Sequence, residues 1–145
     1  MLSFLIAALA LLMLGFMAYV RLAPTDVARW HRIVEATAPG DGGRSGSFLA
    51  VRNIAAPKEE VLAEVEQRAL GTPRTTLLAG RVDEGMMTFV TRSAFWGFPD
   101  YTTVAVQGDL LVIYGRQRFG SSDFGVNKAR IESWLETLGP LTAPL

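Results

Sequence analysis

An apolar run opens the chain, LSFLIAALALLMLGFMAYV from Leu2 to Val20, and no charge interrupts it. At 1.5 Å of rise per residue, about 19 residues form a helix of about 28 Å, the thickness of a bilayer core. The run therefore predicts a membrane-spanning anchor over residues 1–20. A cleaved export signal is the rival reading, and it wants a basic start and small residues before the cut. No Lys or Arg precedes the run, Val20 is poor at a cleavage point, and a cut after Ala23 would abut Pro24. The expectation is an uncut anchor.

Residues 21–46 lack such a pattern and read as a juxtamembrane segment and flexible linker. APTDVARWHRIVEA can form a short helix capped by Thr25 or Asp26, and TAPGDGGRSGS supplies the Gly, Pro and Ser of a loop. Regular periodicity begins at Ser47. SFLAVRNI reads as a strand. APKEEVLAEVEQRALG reads as a helix, with Pro57 and two glutamates at its start and Val61, Leu62, Val65 and Ala69 on one face. RTTLLAGRV and MMTFVTRSA are strands joined by DEG, and YTTVAVQ and LLVIYGRQ are strands joined by GD. A second helix covers about Val126 to Leu138, with Ile131, Trp134, Leu135 and Leu138 along one face, and Gly139 and Pro140 end it. Leu77, Leu78, Phe89, Val90, Val104, Val106, Leu111 and Ile113 are expected in the core.

The predicted fold is α+β: a transmembrane helix, then a β-α-β-β-β-β-α domain over residues 47–139 and a tail over 140–145. Short hairpins imply an antiparallel sheet with the helices on one face. That order resembles the helix-grip arrangement of the TATA-binding-protein half-domain and, more loosely, the lipid-transfer and pollen-allergen folds. It also allows a ligand cavity between the sheet and the last helix.

Composition narrows the chemistry. In 145 residues, 14 basic and 14 acidic side chains cancel, and a nucleic-acid binder would carry a basic excess. The absence of cysteine removes disulfides, thiolate nucleophiles and cysteine-ligated metals. A serine triad or histidine-ligated metal would have to use the single histidine, His31, which reads instead as an interfacial or packed side chain. Two short-motif coincidences carry nothing. DFG at Asp123 has no kinase context, and GRSGS at Gly43 has the wrong spacing for a nucleophile elbow.

The densest chemistry lies in RFGSSDFGVNKARIESWL, from Arg118 to Leu135. Three readings stay open. Asp123 and Asn127 can satisfy free N–H groups at the helix start, with Arg118 and Arg130 clasping Asp123 or Asp100, which makes a structural clasp. Alternatively Arg92, Arg116, Arg118 and Arg130 form an anion or headgroup site near a helix start. Thirdly, Asp100 and Asp123 form a carboxylate pair for hydrolysis, although neighbouring arginines would depress both pKa values.

RSAFWGFPD followed by RQRFGSSDFGVNKARIESWL resembles the bacterial domain-of-unknown-function family 1499, whose signature runs Ser-Arg-x-Gly-x-Ser-Asp-x-Gly-x-Asn-x-x-Arg-Ile. Arg118, Gly120, Ser122, Asp123, Gly125, Asn127, Arg130 and Ile131 fall on it in register, and Arg92 and Asp100 resemble its upstream Arg and Asp. Gln117 stands where Ser is common, Pro99 replaces the first of two paired acids, and the Cys-Val-Ser-Ser opening is missing. The resemblance spans about Ser47 to Leu138 and implies an exported or membrane-attached module without assigned activity.

The expectation is therefore a single-pass membrane protein whose partner is the lipid bilayer, with another envelope protein or anionic lipid as further candidates and no cofactor or nucleic acid. Its leading function is a non-catalytic binding or interaction module at the cell envelope. Apolar-ligand binding under the last helix comes second, and a hydrolytic enzyme is remote. Arg21, Arg29 and Arg32 follow the anchor and favour a cytoplasmic domain. The export tendency of the resembled family favours the extracytoplasmic side, and that side is expected here.

Overall fold

The computed structural model describes all 145 residues. Helix α1 (Leu2–Leu22) is long and apolar enough to cross a membrane and stands almost free of the rest. A four-residue helix α2 (Val27–Trp30) follows, capped by the Asp26 carboxylate, which accepts from the Arg29 N–H at 3.1 Å. Then come β1 (Gly40–Gly42), β2 (Ser47–Asn53), α3 (Lys58–Gly71), β3 (Thr75–Arg81), β4 (Met86–Arg92), β5 (Pro99–Gln107), β6 (Leu110–Gln117) and α4 (Val126–Leu138). The sheet is antiparallel throughout, in the order β1-β2-β6-β5-β4-β3. The fold is thus α+β, and α3 and α4 lie together on one face.

Between that face and the two helices sits the core. Val61, Leu62, Val65 and Ala69 from α3 and Ile131, Trp134 and Leu138 from α4 close over Phe89, Val104, Leu111 and Ile113. Trp134 meets the Phe89 ring edge-on at 6.0 Å and donates its indole N–H to Thr72 Oγ1 at 2.8 Å. The space that the topology allowed for a ligand between the sheet and the last helix is filled by side chains. Glycine at 115 permits the closeness of α4. A Cβ there would stand 2.9 Å from Asn127 Oδ1 and 3.0 Å from Ile131 Cδ1.

Three sequence expectations are corrected. The loop expected over Thr37–Ser47 contains β1, which pairs with β2 through Gly40–Val51, Asp41–Ala50 and Gly42–Leu49. Arg52 holds this edge with two hydrogen bonds to the Asp41 carboxylate, 2.6 and 3.2 Å. Leu77 is not in the core. A bulge between Leu77 and Ala79 turns the edge strand, leaving the leucine 39% exposed, while Leu78 and Val106 are half-buried.

The third correction concerns the tether. Residues 25–36 lie as a strap across the outer face of the sheet. Trp30 stacks on Tyr101 with centroids 4.1 Å apart, and its carbonyl accepts from Arg116 Nη2 at 2.8 Å and Thr103 Oγ1 at 3.1 Å. His31 Nδ1 bonds Thr88 Oγ1 at 2.9 Å, and the Gln107 amide bridges Val34 O and Ala36 N. His31 is thus a packed side chain on the sheet. The strap carries the end of α1 down onto the loop between β4 and β5. There Phe16 meets Trp96 and Phe98 edge-on, Tyr19 meets Phe119, and Val20 is fully buried.

We expect Gly115→Ala to destabilise the protein by roughly 1–3 kcal/mol, because the added methyl forces α4 away from the sheet. Denaturant titration of the detergent-solubilised chain measures it.

Candidate functional site

The residues singled out by sequence divide between the two faces of the sheet. In the register, Thr91 pairs with Asp100 and Asp100 with Gln117, whereas Arg92 pairs with Pro99 and Tyr101 with Arg116. Alternation then sends Asp100 to the helix face, and Arg92 and Arg116 to the outer face. Asp100, Asp123, Asn127 and Arg130 come together. Arg92, Arg116 and Arg118 do not join them.

The helix-face group is a continuous chain of hydrogen bonds. Asp123 lies just before α4, where N–H groups have no helical partner. Its carboxylate accepts from the Asn127 N–H at 2.9 Å, the Asn127 side-chain amide at 2.8 Å and the Gly125 N–H at 3.2 Å. Asn127 is fully buried, and its Oδ1 accepts from Arg130 Nη1 at 2.9 Å. Arg130 Nη2 reaches Asp100 Oδ2 at 3.2 Å, with side chains only 9% and 16% exposed. The last helix is thereby tied to β5 through buried polar groups that all have partners.

The two carboxyls are shifted in opposite directions. Burial pushes Asp100 above the ordinary carboxylate value, and the Arg130 charge and hydrogen bond oppose this only in part. Burial also pushes Asp123 upward, but the hydrogen bonds from Asn127 and Gly125 outweigh it and hold the group below its ordinary value.

On the outer face, Arg116 holds the strap. Besides the Trp30 carbonyl it donates to Thr103 Oγ1 at 2.6 Å and lies against the Tyr114 and Trp30 rings. Burial lowers its pKa, and its Nε has no hydrogen-bond partner. Arg118 lies over the Phe119 ring with a long contact, 3.4 Å, to the Tyr101 hydroxyl. Arg92 Nη1 donates to Gly97 O at 2.9 Å and reaches Val20 O at 3.4 Å. Lys128 stands 3.7 Å from Glu132. The four basic residues between Arg116 and Arg130 therefore do not converge on one anion.

Two hollows flank the loop between β4 and β5 where α1 meets it. One is a groove of about 530 Å³. Phe16, Phe98, Phe119, Phe124 and Val126 form its apolar wall, and Ser93, Asp100, Gln117, Ser122 and Asp123 its polar side. Phe124 is 95% exposed and adopts a left-handed backbone, φ 52°, which costs a bulky residue energy. Sequence reasoning passed over Phe124, although a large aromatic between Asp and Gly in a polar loop is a signal. It also passed over Phe16 and Phe119, since nothing in the sequence brings the anchor to that loop. The second hollow is a pocket of about 320 Å³ lined by Arg21, Arg74 and Arg92 with Thr76 and Ser93.

A family model described as "Protein of unknown function (DUF1499)" matches residues 24–138, so the strap falls inside the match. No curated protein matches the chain.

The carboxyl shifts set a pH signature. Asp123, depressed in the folded state, contributes stability above the ordinary carboxylate pKa of about 3.9, and this is lost as pH falls through its folded value. Asp123→Ala should cost about 1–2 kcal/mol at neutral pH through the lost cap, with the gap to the parent closing below about pH 4. Asp100, raised, works the other way and favours the folded state once protonated. Asp100→Asn keeps an acceptor for Arg130 but removes the charge it pairs with, so it should cost on the order of 1–3 kcal/mol at neutral pH. Denaturant melts across pH report both.

Proposed function

The chain belongs to the DUF1499 family, and from the geometry of its site we propose that it is a membrane-anchored, non-catalytic binding module that holds an amphiphilic ligand at the bilayer surface. The observation that carries this reading is the groove shared by the anchor helix and the motif loop. Its volume of about 530 Å³ suits a small-molecule or lipid-sized occupant. One wall is aromatic and continuous with α1, so an acyl chain can enter from the bilayer without crossing water. The other side carries two carboxylates and two serines and suits a head that donates hydrogen bonds.

The state of the polar groups supports binding over catalysis. Asp123 is held ionised by three donors, and Asp100 is committed to Arg130. Neither is free to shuttle a proton. The lone histidine bonds Thr88 under the strap, away from the groove.

The membrane reading rests on α1, an apolar helix whose first charge is Arg21. We place the domain on the extracytoplasmic side. Arg21 and Arg29 have structural work, the one donating to the Phe95 carbonyl and the other lying over Trp30, which weakens them as topological signals. Because the chain lacks cysteine, Asp109→Cys in the exposed β5–β6 turn gives one clean label site. A membrane-impermeant maleimide should label it in intact cells, and labelling only after lysis would move the domain to the cytoplasm.

Native mass spectrometry of the detergent-extracted chain should find one lipid or apolar molecule retained. Phe124→Gly should release it while leaving the melting temperature unchanged or higher, because glycine relieves the left-handed strain. If Phe124→Gly retains the molecule as the parent does, the groove is not its site.

A further inference from the structure

The second hollow carries a separate inference. Arg21 lies in the last turn of α1, Arg74 immediately precedes β3 and Arg92 ends β4, so the anchor and the two outer ends of the β3–β4 hairpin bring arginines to one pocket. No acid lines it, and none of the three arginines lies within ion-pair distance of a carboxylate. Three like charges brought together without a counter-ion repel one another, and the repulsion is relieved when an anion occupies the space.

The groups are also held in place. Arg21 Nη2 donates to Phe95 O at 2.8 Å, Arg74 Nε to Arg92 O at 3.0 Å, and Arg92 Nη1 to Gly97 O at 2.9 Å. Arg21 and Arg74 thus spend one donor each on backbone, and Arg92 Nη1 also reaches Val20 O at 3.4 Å, while each guanidinium keeps other donors. Gly97 is needed for this arrangement. It sits at φ 77°, and a Cβ would stand 2.9 Å from the Arg21 stem. Arg74 is one of only two non-glycine residues with positive φ, at 59°, so its place is fixed against a backbone preference. Ser93 Oγ accepts from the Phe98 N–H at 3.0 Å and retains its own proton for donation. Fixed guanidinium forks and a hydroxyl match the oxygens of a phosphate.

Depth identifies the source. Arg21 is the first charge after the apolar run, so with α1 in a bilayer the pocket stands at the level of the headgroups. We propose that Arg21, Arg74 and Arg92 form a binding site for the phosphate of an anionic phospholipid at the membrane surface. This site lies across the Ser93–Phe98 loop from the amphiphile groove and does not depend on it. The groove carries carboxylates and the pocket carries none, so the two select different heads.

The test uses the purified full chain in a non-ionic detergent. Dioctanoyl phosphatidylglycerol, dioctanoyl phosphatidylcholine and inorganic phosphate are titrated separately, and native mass spectrometry counts what binds. The glycerol lipid should bind saturably and more tightly than the choline lipid, with the preference shrinking at high salt. Arg74→Asn, in which asparagine tolerates the left-handed backbone, should weaken that binding roughly fivefold while the melting temperature holds. Arg21→Gln is the second variant and should do the same, whereas Lys58→Gln on the remote start of α3 should change nothing. Phe124→Gly should leave anionic-lipid binding intact, which separates this site from the groove. Equal binding of the two lipids, or unchanged affinity in both arginine variants, overturns the proposal. Inorganic phosphate binding as tightly as the anionic lipid overturns the lipid assignment.

Discussion

Arg116 is a half-buried charge on a sheet face with no carboxylate to meet, and such a cation is stabilised by whatever acceptors and rings its surroundings supply. Its Nη2 finds acceptors in the Trp30 carbonyl and the Thr103 hydroxyl, two aromatic rings lie against its plane, and Nε stays unpartnered. That one arrangement fixes the strap, because Trp30 cannot lift from Tyr101 without stranding the guanidinium. The strap then sets where residues 20–22 emerge, and so brings the end of α1 against the β4–β5 loop. Phe16 and Arg21 from the docked end of α1 line one hollow each. A residue that reads as part of an anion site by sequence therefore acts as the fastening of the strap.

Much of the architecture was legible. The helical spacing of Val61, Leu62, Val65 and Ala69 and of Ile131, Trp134 and Leu138 marked both core faces, and the DEG and GD turns marked the hairpins. What failed has physical reasons. A strand of Gly-Asp-Gly has no side-chain alternation to read, and β1 exists only through backbone pairing and the Asp41–Arg52 contact. Leu77 was misplaced because a bulge breaks alternation without altering composition. The candidate site was legible in its members but not in its grouping. Within a single strand, period-two logic separates faces, but which face of β5 meets which face of α4 depends on register across hairpins. That register is why Arg130 meets Asp100 while Arg118 faces the other way.

The clasp and the groove share a boundary, since Asp100 and Asp123 belong to both. Their opposite pKa shifts follow from what surrounds each. One lies largely buried beside α4, and the other sits in a nest of N–H groups at the loop edge. The only two non-glycine residues with left-handed backbone, Arg74 and Phe124, line the two hollows, one each. Strain that recurs where ligands would sit, and nowhere else in the chain, is the pattern expected when surroundings over-determine a local conformation for use.

Gly97 has a consequence for how the molecule stands in a bilayer. Its missing Cβ lets the Arg21 stem lie flat on the β4–β5 loop, while Phe16 and Tyr19 grip the aromatic rings beside it. The joint between α1 and the domain is thus made by side-chain contacts as well as by the connecting backbone. Apolar helices tilt to match bilayer thickness. On the proposed reading of α1 as a membrane anchor, such a tilt would reach the sheet through these contacts, and bilayer thickness would bear on how the folded domain is oriented.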